Sequence, residues 1–228
     1  MAQSALFIAI LGGVLPALLW LTFWLLEDRC EPEPKRYIFF TFMLGMLAVW
    51  PALGVEKALA LYATGTPLLL YWAITEECLK FGAALLGALV WASYDEPLDA
   101  VIYLVTAALG FSAMENALFL FTSLSQGDLV RSVVTGDLRF IGATLLHTLS
   151  SATVGISLAI SYWRPATARR VAALGGVILA VFLHTLFNFF ILQGGGDSTF
   201  WVFLIIWCGI VGVLLISERV KVPAKDYC

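Results

Sequence analysis

The sequence predicts an all-α, polytopic transmembrane helix bundle of about seven spans, built as a single transmembrane domain over residues 1–228. Its composition is 61% hydrophobic and only 13% charged, whereas soluble domains carry about 25% charged residues. The mean hydropathy is +0.93. The apolar residues also fall into recurring runs of roughly 18 to 25, which is long enough to cross a bilayer. Because backbone polar groups in lipid must be paired internally, these runs should be helices.

Charged or turn-forming segments separate the first three spans. The first span is expected over about 5–26 and ends in the charged segment 27–36, where Pro32 and Pro34 prevent helix continuation. The second is expected over about 37–55. The third, over about 68–92, follows a turn that contains Gly65 and Pro67.

Four further spans are expected over about 98–124, 140–162, 171–192 and 200–216. The longest connection, 125–139, precedes the fifth span, and the spacing of Leu129, Val133 and Val134 is compatible with a short interfacial helix. The glycine-rich segment 193–197 is typical of a flexible turn between the last two spans.

The distribution of basic residues predicts an outside N-terminus and an inside C-terminus, since cytoplasmic loops are enriched in Lys and Arg. With seven spans, the inside segments hold Arg29, Lys35, Arg36, Arg164, Arg169, Arg170, Arg219, Lys221 and Lys225. The outside segments hold only Lys57, Arg131 and Arg139. We therefore expect a multi-pass membrane protein in this orientation.

Several classes of function lack their sequence signals. No basic stripe for nucleic acid is present. The four cysteines show neither CxxC spacing nor a disulfide framework. The N-terminus lacks the basic region and cleavage site of a signal peptide, so the first apolar run should remain in the mature protein.

The third span carries the densest group of charges, Glu76, Glu77 and Lys80. A charged residue at the centre of a membrane helix costs from about 2.5 kcal/mol upward, so such a group indicates a functional site. Glu76 and Lys80 lie four residues apart and can pair on one helix face. Glu77 points about 100° away and needs another partner.

Three later spans also carry polar residues at positions where lipid would be unfavourable. The fourth carries Glu115 and Asn116 with Phe111 one turn before, the fifth carries His147, and the sixth carries His184 and Asn188 at i,i+4 spacing. Because unpaired polar groups in lipid are costly, we expect these residues to face inward and to meet in one polar cavity, within about residues 67–192.

Such a cavity suits hydrolysis by activated water. A buried glutamate can act as general base, a histidine can carry the proton, and a His/Asn pair can stabilise an oxyanion. Neither a GxSxG nucleophile nor an HExxH motif is present. Cys78, taken as a buried thiol among carboxylates, makes a poor nucleophile.

The residues alone leave three alternatives open. The set Glu76, Glu77, Glu115, His147 and His184 could hold a divalent metal such as zinc, or a glutamate could activate water without a metal. Proton-coupled transporters also bury Glu and His chains. A non-catalytic membrane scaffold could use the same pocket for a partner.

The ordered motifs Glu76-Glu77-x-x-Lys80, Phe111-x-x-x-Glu115-Asn116, His147 and His184-x-x-x-Asn188 resemble those of the PrsW family of intramembrane proteases. That family belongs to the superfamily of the CAAX prenyl endopeptidases and the Abi immunity proteins. The resemblance covers roughly residues 67–192. The chain departs from the wider superfamily pattern in two places, since Lys80 stands one residue before the arginine of EExxxR and Glu115 replaces the histidine of FxxxH.

The resemblance implies functional roles for Glu76, Glu77, His147 and His184. By similarity with the CAAX endopeptidases, Glu76 would be the water-activating base, with Lys80 orienting the pair and with His184 and Asn188 holding the oxyanion. It also implies a location in the bacterial cytoplasmic membrane. The activity it implies is site-one cleavage, within regulated intramembrane proteolysis, of a single-pass membrane substrate such as an anti-sigma factor.

Overall fold

The computed structural model of the protein describes residues 2–28, 31–91, 93–127, 142–193 and 195–221. Across those ranges the chain folds into seven α-helices and contains no strand, which confirms the all-helical prediction. The helices are α1 (Ala2–Glu27), α2 (Lys35–Leu59), α3 (Gly65–Ala84), α4 (Asp99–Ser125), α5 (Thr144–Ser161), α6 (Ala166–Gln193) and α7 (Gly195–Val220).

Six of these helices are long and apolar enough to cross a membrane, and α3 differs from them because it carries three charged residues. A wider π-helical turn over Leu85–Leu89 extends α3 toward its expected end. The protein is thus a multi-pass membrane protein. Large apolar side chains such as Phe7, Leu19 and Leu86 point outward, as a lipid-facing surface requires.

Contacts between helix ends show that α3 also traverses the bundle. Lys221, directly after α7, donates to Glu27 at the end of α1, with Nζ 3.2 Å from Oε2. Tyr103, near the start of α4, donates its hydroxyl to Glu33 in the α1–α2 connection. The end of α1 and the start of α4 therefore lie at the same side of the bundle, so α2 and α3 must run in opposite directions between them.

The structure differs from the sequence-based boundaries near the C-terminus. The sixth helix begins at Ala166, directly after Pro165, whose carbonyl oxygen accepts the first helical hydrogen bond from the Arg169 N–H at 3.1 Å. Residues 195–197 are helical, so the predicted flexible turn is wrong there. Glycine weakens a helix but does not forbid it. The suggested interfacial helix lies mostly in 128–141, outside the described residues.

Helix α4 forms the centre of the bundle, and every residue from Asp99 to Ala113 is buried. Its backbone touches α2 directly at two glycines. A Cβ on Gly45 would lie against the carbonyl oxygen of Ala107, and one on Gly110 would lie against the carbonyl oxygen of Phe42. Small residues permit such close approach between membrane helices, and the contact holds α4 against α2.

A group of carboxyl side chains lies at the side of the bundle where α4 begins. Asp28, Glu33 and Asp99 are buried there. Asp99, the first residue of α4, orders the turn before the helix by accepting from the backbone N–H groups of Asp95 and Glu96, each at 2.9 Å. Burial, with the neighbouring Asp99 carboxyl, raises the pKa of Glu33 to about 9. Burial, with the Asp99 and Asp28 charges, raises the pKa of Glu96 to about 8.

The close approach of α2 and α4 predicts opposite effects for two Gly→Ala changes in the same helix. Gly45→Ala should destabilise the protein by about 1–3 kcal/mol, because the added methyl group meets backbone that cannot move aside. Gly54→Ala, where an added Cβ meets no atom within 4 Å, should stabilise it by about 0.5–1 kcal/mol through helix propensity. Thermal unfolding in detergent measures both, and a Gly45→Ala protein as stable as wild type would contradict the close packing.

The raised pKa values of Glu33 and Glu96 predict that the protein loses stability in alkali. Both groups bind protons in the folded state at pH values where the unfolded chain has released them. Their stabilising contribution is complete below about pH 4.5 and is lost as the pH rises through 8 to 9. Melting temperatures from pH 6 to pH 10 should fall, and Glu33→Gln should flatten the decline. If the melting temperature of Glu33→Gln fell with pH as steeply as that of the control Glu31→Gln, the raised pKa of Glu33 would be contradicted.

Candidate active site

Helix α3 turns its three charged side chains inward. Glu76 is 7% exposed, Glu77 2% and Lys80 0%. Ile74 and Cys78 are exposed on the opposite face, so the expectation of a buried Cys78 thiol is wrong. The helical period of 3.6 residues explains this division, since position 78 lies about 100° from position 77 and about 160° from position 80.

The carboxylate of Glu77 is the electrostatic centre of the site. Its Oε1 accepts from Lys80 Nζ at 2.5 Å, from His184 Nδ1 at 2.7 Å and from Ser150 Oγ at 3.0 Å. The predicted pairing of Lys80 with Glu76 is therefore wrong, because Lys80 pairs with Glu77 at i,i+3. Three donors from three helices neutralise Glu77 and fix its position.

Each histidine uses one ring nitrogen to contact a carboxylate. His184 Nδ1 donates to Glu77, as above. His147 Nε2 lies 3.0 Å from Glu115 Oε2, and His147 Nδ1 lies 2.8 Å from Lys80 Nζ. The lysine ammonium can only donate, so Nδ1 accepts and Nε2–H donates to Glu115. The contact of each ring with a carboxylate fixes its orientation.

His184 Nε2 and the His147 Nδ1 that accepts from Lys80 both face Glu76. Its Oε2 lies 3.8 Å from His147 Nδ1 and 3.8 Å from His184 Nε2, too far for hydrogen bonds. This oxygen is buried and has no hydrogen-bond partner among the described residues. The two imidazole rings are perpendicular, with an interplanar angle of 81° and centroids 5.2 Å apart. Three basic atoms from α3, α5 and α6 thus converge on one point.

This geometry fits a divalent metal ion. One ligand atom from each of Glu76, His147 and His184 lies within 4.8 Å of the others, and all three residues are buried. Two histidines and one carboxylate form a common zinc set, with further positions for water or substrate. Metal-binding histidines almost always donate their second N–H to a carboxylate, carbonyl or water, as Glu77 and Glu115 allow here.

The other predicted site residues lie around this centre. The Phe111 ring packs 5.6 Å from His147 and 5.3 Å from Lys80 Nζ, measured from its centroid. Asn116 donates to Ser112 Oγ at 3.2 Å and Thr144 Oγ1 at 3.0 Å, so it ties α4 to α5.

Asn188 was predicted to belong to the site, whereas Ser150 was not. Asn188 is half-buried, one turn beyond His184. Ser150 also belongs to the site, although no sequence motif marks it. It stands about one helical turn after His147, so its position on the same face of α5 could have indicated this role.

A model of the family described as PrsW family intramembrane metalloprotease matches residues 33–215 of this chain. The chain belongs to the PrsW family. Its relatives include "Protease PrsW" of Geobacillus kaustophilus, 26% identical over 191 residues that cover 82% of this chain and 81% of that protein. The protein of that name from Bacillus subtilis is 26% identical over 57% of this chain and 61% of its own. No solved structure matches this chain.

Membership in the PrsW family identifies the protein as an intramembrane protease. The family match includes every helix that contributes to the site, α3 to α6, so the residues that converge on Glu76 all lie within it. Membership also favours hydrolysis over the transporter and the scaffold that the residues alone left open.

Proposed function

We propose that this PrsW-family protease hydrolyses a peptide bond in a single-pass membrane protein, with water activated between Glu76, His147 and His184. The observation that carries the proposal is the convergence of Glu76 Oε2 with two imidazole nitrogens at 3.8 Å, from three different helices. Such an arrangement leaves room for a water molecule or a cation between basic atoms whose orientations are fixed.

The three inward atoms would hold a divalent metal, as the description of the family suggests, once Lys80 gives up its hydrogen bond to His147 Nδ1. A bound metal supplies an activated water and polarises the substrate carbonyl. Glu115 would then take the proton from that water through a further water molecule, since its side chain is 20% exposed and contacts His147 at Nε2, on the ring edge away from Nδ1. Without a metal, Glu76 Oε2 would take that proton.

The other residues support this chemistry by position. Glu77 fixes His184, because it accepts the Nδ1 proton and leaves Nε2 facing Glu76. Lys80 balances the negative charge of Glu77 and donates to His147. Asn188, one turn beyond His184 on α6, would donate to the substrate oxyanion. His184 would join it only in the metal-free form with Nε2 also protonated, because its Nδ1 proton is donated to Glu77.

We further propose that the substrate is a single-pass membrane protein such as an anti-sigma factor, cleaved at a first site in regulated intramembrane proteolysis. The support is the resemblance of the four motifs and the position of the site among membrane helices, which suits a substrate that arrives from the bilayer. The N-out/C-in orientation also remains our proposal, supported by the excess of basic residues at the side where α1 and α7 end.

The proposed chemistry predicts loss of cleavage when the convergent residues are changed. Glu76→Gln and His184→Ala should each lower the cleavage rate of a co-reconstituted single-pass substrate by about 100-fold or more. Cys78→Ala, on the outward face of the same helix, should cleave at the wild-type rate. Melting temperatures report whether each variant is folded. A folded Glu76→Gln enzyme that cleaves at the wild-type rate would refute the assigned site.

The metal form of the proposal predicts a graded loss of zinc affinity. His184→Ala removes a ligand and should weaken zinc binding by about 100-fold or more. Ser150→Ala removes one of the donors to Glu77 and should weaken it by about tenfold. Ser157→Ala is the matched control, since that hydroxyl donates to the Thr153 carbonyl oxygen at 2.8 Å.

Competition of each purified variant against a chelator measures these affinities. Full cleavage activity by protein stripped of metal would favour the metal-free mechanism with Glu76 as base.

A further inference from the structure

A cavity of about 370 Å³ lies between α1 and α2, where both helices approach the same side of the bundle. Its volume falls within the range of about 300–1,000 Å³ that is typical of ligand pockets. Most of its wall is apolar and it has one polar end. The lining residues are Leu18, Leu21, Leu25, Asp28, Pro32, Glu33, Lys35, Ile38, Phe39 and Phe42. None of them belongs to the candidate active site.

The polar end contains a buried acceptor that lacks a donor. Asp28 is 4% exposed, and its Oδ2 is fully buried without a hydrogen-bond partner in the described part of the chain. Leaving a buried acceptor unpaired costs about 1–3 kcal/mol, more for a charged group. Glu33, which also lines the cavity, already accepts from the Tyr103 hydroxyl. A ligand that brings an N–H donor would pair Asp28.

A basic side chain lies at the same end. Lys35 begins α2 and is exposed, so its ammonium can reach the headgroup layer while its stem stays along the cavity. The cavity therefore presents a carboxylate, a nearby cation, and an apolar wall that continues into the membrane-spanning part of α1 and α2.

We propose that this cavity binds an aminophospholipid, with the primary ammonium at Asp28, the phosphate at Lys35 and an acyl chain along Leu21, Ile38 and Phe42. The site goes beyond the proposed proteolytic function and is independent of it. The apolar wall of the cavity lies toward the membrane-spanning part of the helices, and the charged groups lie at the helix ends. A phospholipid arranges its acyl chains and headgroup in the same order.

Two other common headgroups fit these groups less well. Phosphatidylcholine has the same charges but no N–H, so it cannot donate to the unpaired Asp28 oxygen. Phosphatidylglycerol has a net negative charge and brings no ammonium, so it would place that charge near the Asp28 carboxylate. A primary ammonium both donates a hydrogen bond and complements the acidic end.

Native mass spectrometry of the delipidated full chain tests the proposal, with phosphatidylethanolamine, phosphatidylcholine and phosphatidylglycerol of identical acyl chains. We expect phosphatidylethanolamine to bind about tenfold more tightly than phosphatidylcholine. Asp28→Ala should remove that preference, and Lys35→Gln should weaken both lipids. Leu18→Trp, at the edge of the cavity, should weaken all three. Glu31→Gln removes a nearby exposed charge outside the cavity and should leave the binding order unchanged.

Equal binding of phosphatidylethanolamine and phosphatidylcholine by the wild-type protein would overturn the proposal, and this comparison needs no variant to fold. Preference for phosphatidylglycerol would also overturn it, because the basic side chain would then act without Asp28. An Asp28→Ala protein that retains the wild-type melting temperature and the full preference would do the same.

Discussion

The site depends on the buried contact between the Lys80 ammonium and the Glu77 carboxylate, 2.5 Å apart inside the bundle. Either charge alone would be unfavourable in lipid. Together, and with His184 and Ser150 as further donors to the same oxygen, they form a neutralised anchor. This anchor joins α3 to α5 and α6, and it lets Glu76 lie beside the anchor without being paired to it. The reactive carboxylate is thus left open because its neighbour holds the positive charge.

In each histidine ring, one nitrogen contacts a carboxylate that orients the ring, and the other nitrogen faces the reacting atoms. Each ring has one nitrogen against a carboxylate, Glu77 for His184 and Glu115 for His147. Its other nitrogen faces Glu76. Such outer carboxylates set the orientation of metal-binding histidines and raise their basicity. The close packing of α2 on α4 through Gly45 and Gly110 matters here, since α4 supplies both Glu115 and the Phe111 ring beneath Lys80.

Polar groups lie in two separate places, and they are stabilised differently. In the bundle centre, carboxylates are balanced by a lysine and by imidazoles. At the end where α1, α4 and α7 meet, Glu33 and Glu96 lie close to other carboxyls, and burial raises their pKa values. The centre is therefore built around the Lys80–Glu77 ion pair with imidazole and hydroxyl donors, whereas the end is built from protonated carboxyls and a tyrosine hydroxyl. The cavity between α1 and α2 opens beside this second group.

The sequence by itself determined the helical class, the approximate limits of the helices and the set of polar residues that must face inward. Those conclusions follow from local properties, because a run of apolar residues must be helical in lipid and a charge within it must find a partner. Which partner each charge finds was decided by tertiary structure. Helical spacing predicted that Lys80 pairs with Glu76. In the folded protein Lys80 pairs with Glu77, which also accepts from Ser150 of α5 and His184 of α6. The inward position of Ser150, the outward position of Cys78 and the opening at Glu76 likewise depend on how the helices are rotated against one another, which no single helix encodes.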